Sequence, residues 1–444
     1  MSANLLSAVE AAKAIRDGML TSEELVLACL ARIDEVEDTV GAWAHLDPDR
    51  ALEQARAADV YRSEGLPLGP LHGIPVGIKD IIDTQDFPTE HGTPIYAGRT
   101  PSKDATLVSL LREAGAVILG KTVTAELAVF SPGKTTNPHN AAYTPGGSSS
   151  GSAAAVAAGM VPLAVGSQTN GSTIRPASFC GVFGFKPTFG RISRNRVLAQ
   201  SQPLDTIGVF ARTLEDVALI AEVLMGFDDR DPSMRPMATP PMVQIMAEEP
   251  PVPPRFAFVR TSKWDEAGEE TKDGLRELVD HLNQTAASVD MFDLPSPFEE
   301  VHKAHAQVME ADLAKSFAGE YKKNKDKLSA ILIEMIERGQ KVSKAEYKAA
   351  LEQRDQCIGI LNSIFEDYDA ILTPATPGAA PEGLDATGSP VFNTIWTFAG
   401  TPALSLPVLQ GANNLPIGVQ LVGQNNDDAR LMRTARWMMK TLET

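Results

Sequence analysis

The stretch that most constrains this chain is Thr144-Pro145-Gly146-Gly147-Ser148-Ser149-Ser150-Gly151-Ser152, which runs directly into Ala153-Ala154-Ala155-Val156-Ala157-Ala158. Taken alone, a Gly/Ser tract is a flexible linker. A linker does not usually flow into an uninterrupted alanine helix and then an apolar strand, Leu163-Ala164-Val165-Gly166. The tract therefore reads as a tight loop packed around a helix N-terminus. Glycines reach backbone angles closed to other residues, and the free N–H groups of a first helical turn favour negative charge.

Composition then narrows the class of protein. The 444 residues admit two or three domains, or one large α/β domain. Hydrophobic residues at 43% and charged residues at 22% are enough for a sizeable core. Lys and Arg number 40 against 57 Asp and Glu, a net charge of −17 that argues against nucleic-acid phosphates or an anionic membrane surface as partners. Cys29, Cys180 and Cys357 are too few and too scattered for a disulfide framework or a thiolate zinc cluster, so a reducing cytosol is the default. The N-terminus lacks a basic region followed by an apolar run, and the longest apolar run, Ala153 to Val165, contains Pro162 and is too short to span a bilayer. A soluble, cytoplasmic protein is expected, with a homodimer as an open option.

Residues 5–36 read as helical, with Thr21 and Glu24 forming a capping box and Leu25, Cys29, Ile33 and Val36 forming one apolar stripe. Residues 49–64 and 105–114 also read as helical, and 76–80 and 116–120 as strands. Six prolines between Pro240 and Pro254 mark a linker or the start of an insertion. Beyond it, 255–260, 370–374, 404–408 and 417–422 read as strands, and 267–286 and 340–366 as charge-laced helices.

Two further segments carry chemistry. Gly166-Ser167-Gln168-Thr169-Asn170-Gly171-Ser172-Thr173-Ile174-Arg175-Pro176 follows a strand and sets a serine beside a glycine, an arrangement that suits a nucleophile with nearby backbone donors. It lacks the G-x-S-x-G pattern, and neither His72 nor His139 has the context of a partner base. Pro75-Val76-Gly77-Ile78-Lys79-Asp80 puts a lysine inside an apolar strand. Such a lysine ordinarily snorkels or pairs. Fully desolvated, its neutral amine becomes a base near neutral pH.

Taken together, these segments resemble the amidase signature family. The matching residues are Gly77-Ile78-Lys79-Asp80, Pro145 to Ala154 and Gly171-Ser172-Thr173-Ile174-Arg175-Pro176-Ala177-Ser178-Phe179-Cys180-Gly181. Phe185-Lys186-Pro187-Thr188, Leu204-Asp205-Thr206-Ile207-Gly208, Gly400 to Pro407 and Leu415 to Gln420 resemble it as well. The resemblance spans most of the chain and is weakest from about 228 to 350. It implies one α/β domain over 1–444, a large mixed twisted β-sheet covered by helices on both faces. Within it would lie an N-terminal helical region (1–65), a signature core (66–227), a variable, largely helical insertion (228–350) and a C-terminal part of the core (351–444).

The resemblance also implies a Ser–cis-Ser–Lys triad: Ser172 as nucleophile, Ser148 as bridge after a cis Gly147–Ser148 peptide, and Lys79 as base. The backbone N–H groups of Thr169, Asn170, Gly171 and Ser172 would form the oxyanion hole, and no metal or organic cofactor is implied. Many family members have Asp where Gln168 stands and Gly where Asn170 stands, so the oxyanion loop departs from the pattern at two places. Arg175, three residues after Ser172, resembles the arginine of malonamidase-like members that bind an acyl group bearing a carboxylate. A structural arginine paired with a local acid is the alternative. The function expected is hydrolysis of a small linear amide, or of a carbamate (urethane) or ureido compound on the same triad. Less favoured are the A-type component of a tRNA-dependent amidotransferase and, last, a non-catalytic binding protein. Ile395, Trp396 and Phe398 could wall the pocket or belong to the core.

Overall fold

Residues 2–443 are described by a computed structural model. The predicted N-terminal helical run is broken in two: α1 (Ala8–Arg16) and α2 (Ser22–Val40). Gly18, at φ 73°, turns the chain between them, and each helix opens on its own capping box, Ser7 with Glu10 and Thr21 with Glu24. Gly41 in the left-handed region ends α2. Leu25, Cys29 and Ile33 are buried as the stripe predicts, while Val36 is half-buried at its edge. Next come α3 (Pro48–Ser63), α4 (Thr106–Glu113), α5 (Ser150–Ala157), α6 (Ile174–Cys180), α7 (Leu214–Leu224), α8 (Met242–Ala247), α9 (Glu269–Asn283) and α10 (Val301–Ser316).

Eleven strands form one mixed sheet. They are β1 (Trp43–Leu46), β2 (Pro75–Lys79), β3 (Val117–Thr122), β4 (Leu163–Gln168), β5 (Phe183–Lys186), β6 (Thr206–Ala211), β7 (Arg255–Arg260), β8 (Ser288–Asp293), β9 (Ala370–Pro374), β10 (Ala403–Gln410) and β11 (Pro416–Val422). Their order across the sheet is β1-β3-β2-β4-β6-β5-β10-β11-β9-β7-β8. β2 runs parallel to β3 and β4, and β7 parallel to β8 and β9, while the other neighbours are antiparallel. Helices cover both faces, so the central strands β2 to β6 are buried along their whole length. That explains why they lack the polar alternation of a half-exposed strand.

The stretch 228–350 is helical over much of its length, but it also supplies β7 and β8 to one edge of the sheet. The helix Lys344–Asp367 crosses its far boundary. Among the described residues, no helix is long and apolar enough to cross a membrane.

Candidate active site

Three loops meet at one end of the sheet. β2 and β4 are parallel neighbours, with Val76 opposite Leu163 and Ile78 opposite Val165. Lys79, the last residue of β2, and the loop after β4 therefore emerge on the same side. α5 packs across β2, β3, β4 and β6 and carries the Gly/Ser loop to the same place. The Gly147–Ser148 peptide is cis. Gly147 approaches its neighbours closely, since a Cβ there would fall 2.7 Å from Thr387 Cγ2.

Lys79 is fully buried. Its Nζ lies 2.8 Å from Ser148 Oγ and 2.9 Å from Ser167 Oγ. Burial holds its pKa well below the usual lysine value, opposed by attraction to Asp205 and reinforced by repulsion from Arg175. Ser172 is buried and lines a very small pocket, with Phe130, Asn170, Arg175 and Met309 among the other walls. Among the described residues no hydrogen bond joins Ser148 to Ser172, and catalytic contacts of this kind often tighten only around substrate.

The loop from Thr169 to Ser172 is fixed from outside by its side chains and carbonyls. Thr169 Oγ1 donates to Asp205 Oδ1 at 2.7 Å, and the Thr169 carbonyl lies 3.0 Å from His305 Nε2. Thr394 Oγ1 donates to Asn170 Oδ1 at 2.8 Å, and Thr397 Oγ1 donates to the Asn170 carbonyl at 2.5 Å. Gly171 cannot carry a side chain, because its Cβ would fall 2.4 Å from Asn393 Oδ1. The N–H groups of Thr169, Asn170, Gly171 and Ser172 make no hydrogen bond among the described residues. Gln168 fills its unusual place without loss. Its Oε1 accepts from the Thr173 and Ile174 N–H groups at 2.8 and 3.0 Å, capping α6, and its Nε2 donates to Thr397 Oγ1.

Arg175 is buried on α6. One guanidinium nitrogen donates to the Gly147 carbonyl at 2.6 Å and to Thr387 Oγ1 at 3.0 Å. Its Nε and its other terminal nitrogen are buried without partners, and among the described residues no carboxylate pairs with it. Burial lowers its pKa to about 9. Its guanidinium lies 5.9 Å from the centre of the Phe130 ring.

Sequence reasoning assigned no role to Ser167, Asp205, His305 or Thr387. Ser167 carried the best available signal, because it sits at the end of the strand that delivers Ser172. His305 and Thr387 come from segments 136 and 212 residues away from their partners, with nothing local to mark them. Ile395, Trp396 and Phe398 belong to the core. His72 and His139 bond to the carbonyls of Ala58 and Cys180, away from the triad.

Residues 24–432 match the Amidase family. The chain is 35% identical to the A component of glutamyl-tRNA(Gln) amidotransferase from Chloroflexus aurantiacus, over 96% of this chain and 95% of that protein. It is 32% identical to the same component from Rhodopirellula baltica, over 97% and 95%. Among solved structures it is similar to the peptide amidase of Stenotrophomonas maltophilia (TM-score 0.86, 28% identity, 99% and 97% coverage). It is also similar to 6-aminohexanoate cyclic dimer hydrolase (TM-score 0.88, 25% identity, 99% and 98% coverage). A third similar structure, described as an unexpected vestigial protein complex that reveals the origins of an s-triazine catabolic enzyme, has a TM-score of 0.92, 28% identity and 98% coverage of both chains. With a family match across most of its length and relatives above 30% identity that span nearly all of it, this chain belongs to the amidase family.

Proposed function

We propose that the protein hydrolyses a carbon–nitrogen bond of a small linear substrate through an acyl-enzyme on Ser172. The observation that carries this reading is the buried Lys79, bonded to Ser148 and Ser167 within the cluster that presents Ser172. Neutral Lys79 takes a proton from Ser148 as Ser148 takes one from Ser172, and Ser172 Oγ attacks the carbonyl carbon. The N–H groups of the Thr169–Ser172 loop receive the oxyanion, each such donor being worth about 3 kcal/mol. The relay returns the proton to the leaving nitrogen as the C–N bond breaks. Water then adds to the ester, and collapse frees the acid and Ser172. Arg175 turns its unpartnered N–H groups toward a carboxylate or carbonyl of the acyl part.

A carbamate or ureido compound fits the same steps. An amidotransferase reading is favoured by the curated relatives, which are A components of glutamyl-tRNA(Gln) amidotransferase. Intact-protein mass spectrometry after incubation with a mixed amide, ester and carbamate panel separates these readings. A mass increment on Ser172 names the acyl half. No adduct and no released amine from the isolated chain, with activity only alongside partner proteins, overturns the hydrolase reading.

A further inference from the structure

Asp205 is a buried-site carboxylate that the relay above does not use. It immediately precedes β6, whose first residue Thr206 pairs with Gln168, so it stands beside the end of β4 that carries Ser167. Its Oδ1 accepts from Thr169 Oγ1 at 2.7 Å, and its Oδ2 accepts from the N–H groups of Gln200 and Ser201 at 2.8 and 3.0 Å. Ser167 and Asp205 both line a cavity of about 170 Å³, with Ile81, Leu198 and Gln200. This cavity reaches Lys79 through Ser167, whereas the pocket that holds Ser172 lies apart, with Gln200 common to both walls.

We propose that Asp205 is a positioning residue of this reaction: one carboxylate fixes the oxyanion loop through Thr169 and sets the charge that Lys79 experiences, with solvent access through the cavity behind Ser167. The proposal rests on the reading of Lys79 as the base. The charged groups bearing on Lys79 are Asp205, which favours its protonated form, and Arg175, which disfavours it. Those bearing on Asp205 include Arg194, which is itself held by Asp231 at 2.9 and 3.0 Å. Burial pushes Asp205 up to about 6, against its hydrogen bonds to Thr169, Gln200 and Ser201 and the attraction of Arg194. Above that pH it is an anion. An anion near Lys79 raises the lysine pKa, so removing it must move the onset of neutral Lys79 to lower pH.

The test reads the rate at which a fluorophosphonate probe labels Ser172 as a function of pH, which requires no knowledge of the natural substrate. Asp205→Asn keeps an acceptor for the two N–H groups, lets the Thr169 hydroxyl turn to accept, and removes the charge. Its acid limb should move down by about one pH unit. Thr169→Val cuts the tie and keeps the charge, so its limb should stay in place while its plateau rate falls about tenfold. An unmoved limb in folded Asp205→Asn, or a limb that moves equally in Thr169→Val, overturns the proposal. If Asp205→Asn does not give a cooperative melt, Asp205→Ser, which also removes the charge, takes its place and is read against the same outcomes. Lys79→Ala, run in parallel, separates the two layers. Wild-type labelling there sinks the base itself, whereas a dead Lys79→Ala beside an unmoved Asp205→Asn limb sinks only the role given to Asp205.

Discussion

Two buried lysines sit on adjacent strands and live in opposite environments. Lys121, on β3, places its Nζ 3.2 Å from Asp80 Oδ1, 3.1 Å from the Pro88 carbonyl and 2.6 Å from Thr89 Oγ1. Three donors meet three acceptors, one of them a carboxylate, so the ammonium is satisfied. Lys79, on β2, meets only serine hydroxyls. Its own neighbour in sequence, Asp80, serves Lys121 instead, because successive side chains of a strand point to opposite faces. Burial lowers the pKa of both lysines, but at Lys121 the attraction and hydrogen bond of Asp80 oppose it directly. The same residue type in the same sheet thus faces a carboxylate in one place and only hydroxyls in the other, and the second setting is the one that the proposed relay requires of its base.

The sharpest way to break this comparison is to delete each amine in turn. Lys79→Met should lower the rate of Ser172 labelling by about 10³-fold, because the general base is gone. Its melting temperature should stay level or rise, since no paired charge is left behind. A melting temperature that falls as far as that of Lys121→Met would show that Lys79 is a structural ion after all. Lys121→Met should do the converse. It strands Asp80 in the interior and should cost about 3–5 kcal/mol in denaturant unfolding. If Lys121→Met unfolds with wild-type stability, the pair is not what stabilises that lysine.

Arg175 extends the comparison to a third buried cation, one with open donors instead of a carboxylate or a relay. Arg175→Met should cut kcat/KM about ten- to a hundredfold toward a carboxylate-bearing substrate, the worth of a charge-assisted hydrogen bond. It should do much less toward a neutral amide of the same size, and equal losses on both would make Arg175 a loop anchor only. The smallest effect belongs to a lysine left in water. Lys13, paired with Asp17 at 2.5 Å on the surface, should change unfolding free energy by less than about 0.5 kcal/mol when replaced by Ala.

Much of this site was legible in sequence because its parts are local. The Gly/Ser loop, the glycine at 171 and the lysine in an apolar strand each announce a physical demand that few residues meet. The parts that were not legible are set by distance. That Lys79 is unpaired depends on where Asp80 points and on Lys121, which takes that carboxylate from 41 positions along the chain. That Arg175 is unpaired depends on the absence of any acid from segments folded over it much later. The early helical run was misjudged for a smaller reason: its apolar stripe continues in style across Gly18, where the backbone turns. β1 and β5, four residues each, are too short to show a period at all.

The order of strands has a further consequence. β1 to β6 lie together on one side of the sheet and β7 to β11 on the other, and the two groups join where Ala403, Leu404 and Ser405 of β10 face Lys186, Phe185 and Gly184 of β5. Lys79, Ser148, Ser167, Ser172, Arg175 and Asp205 all belong to the first group. Thr387, which accepts from Arg175, and Asn393, Thr394 and Thr397, which pack on or bond to Asn170 and Gly171 of the loop, belong to the second. The residues of the proposed relay are therefore encoded in the first half of the gene and several side chains that brace the Ser172 loop in the second, so substitutions in the second half can shift that loop while the proposed triad stays untouched.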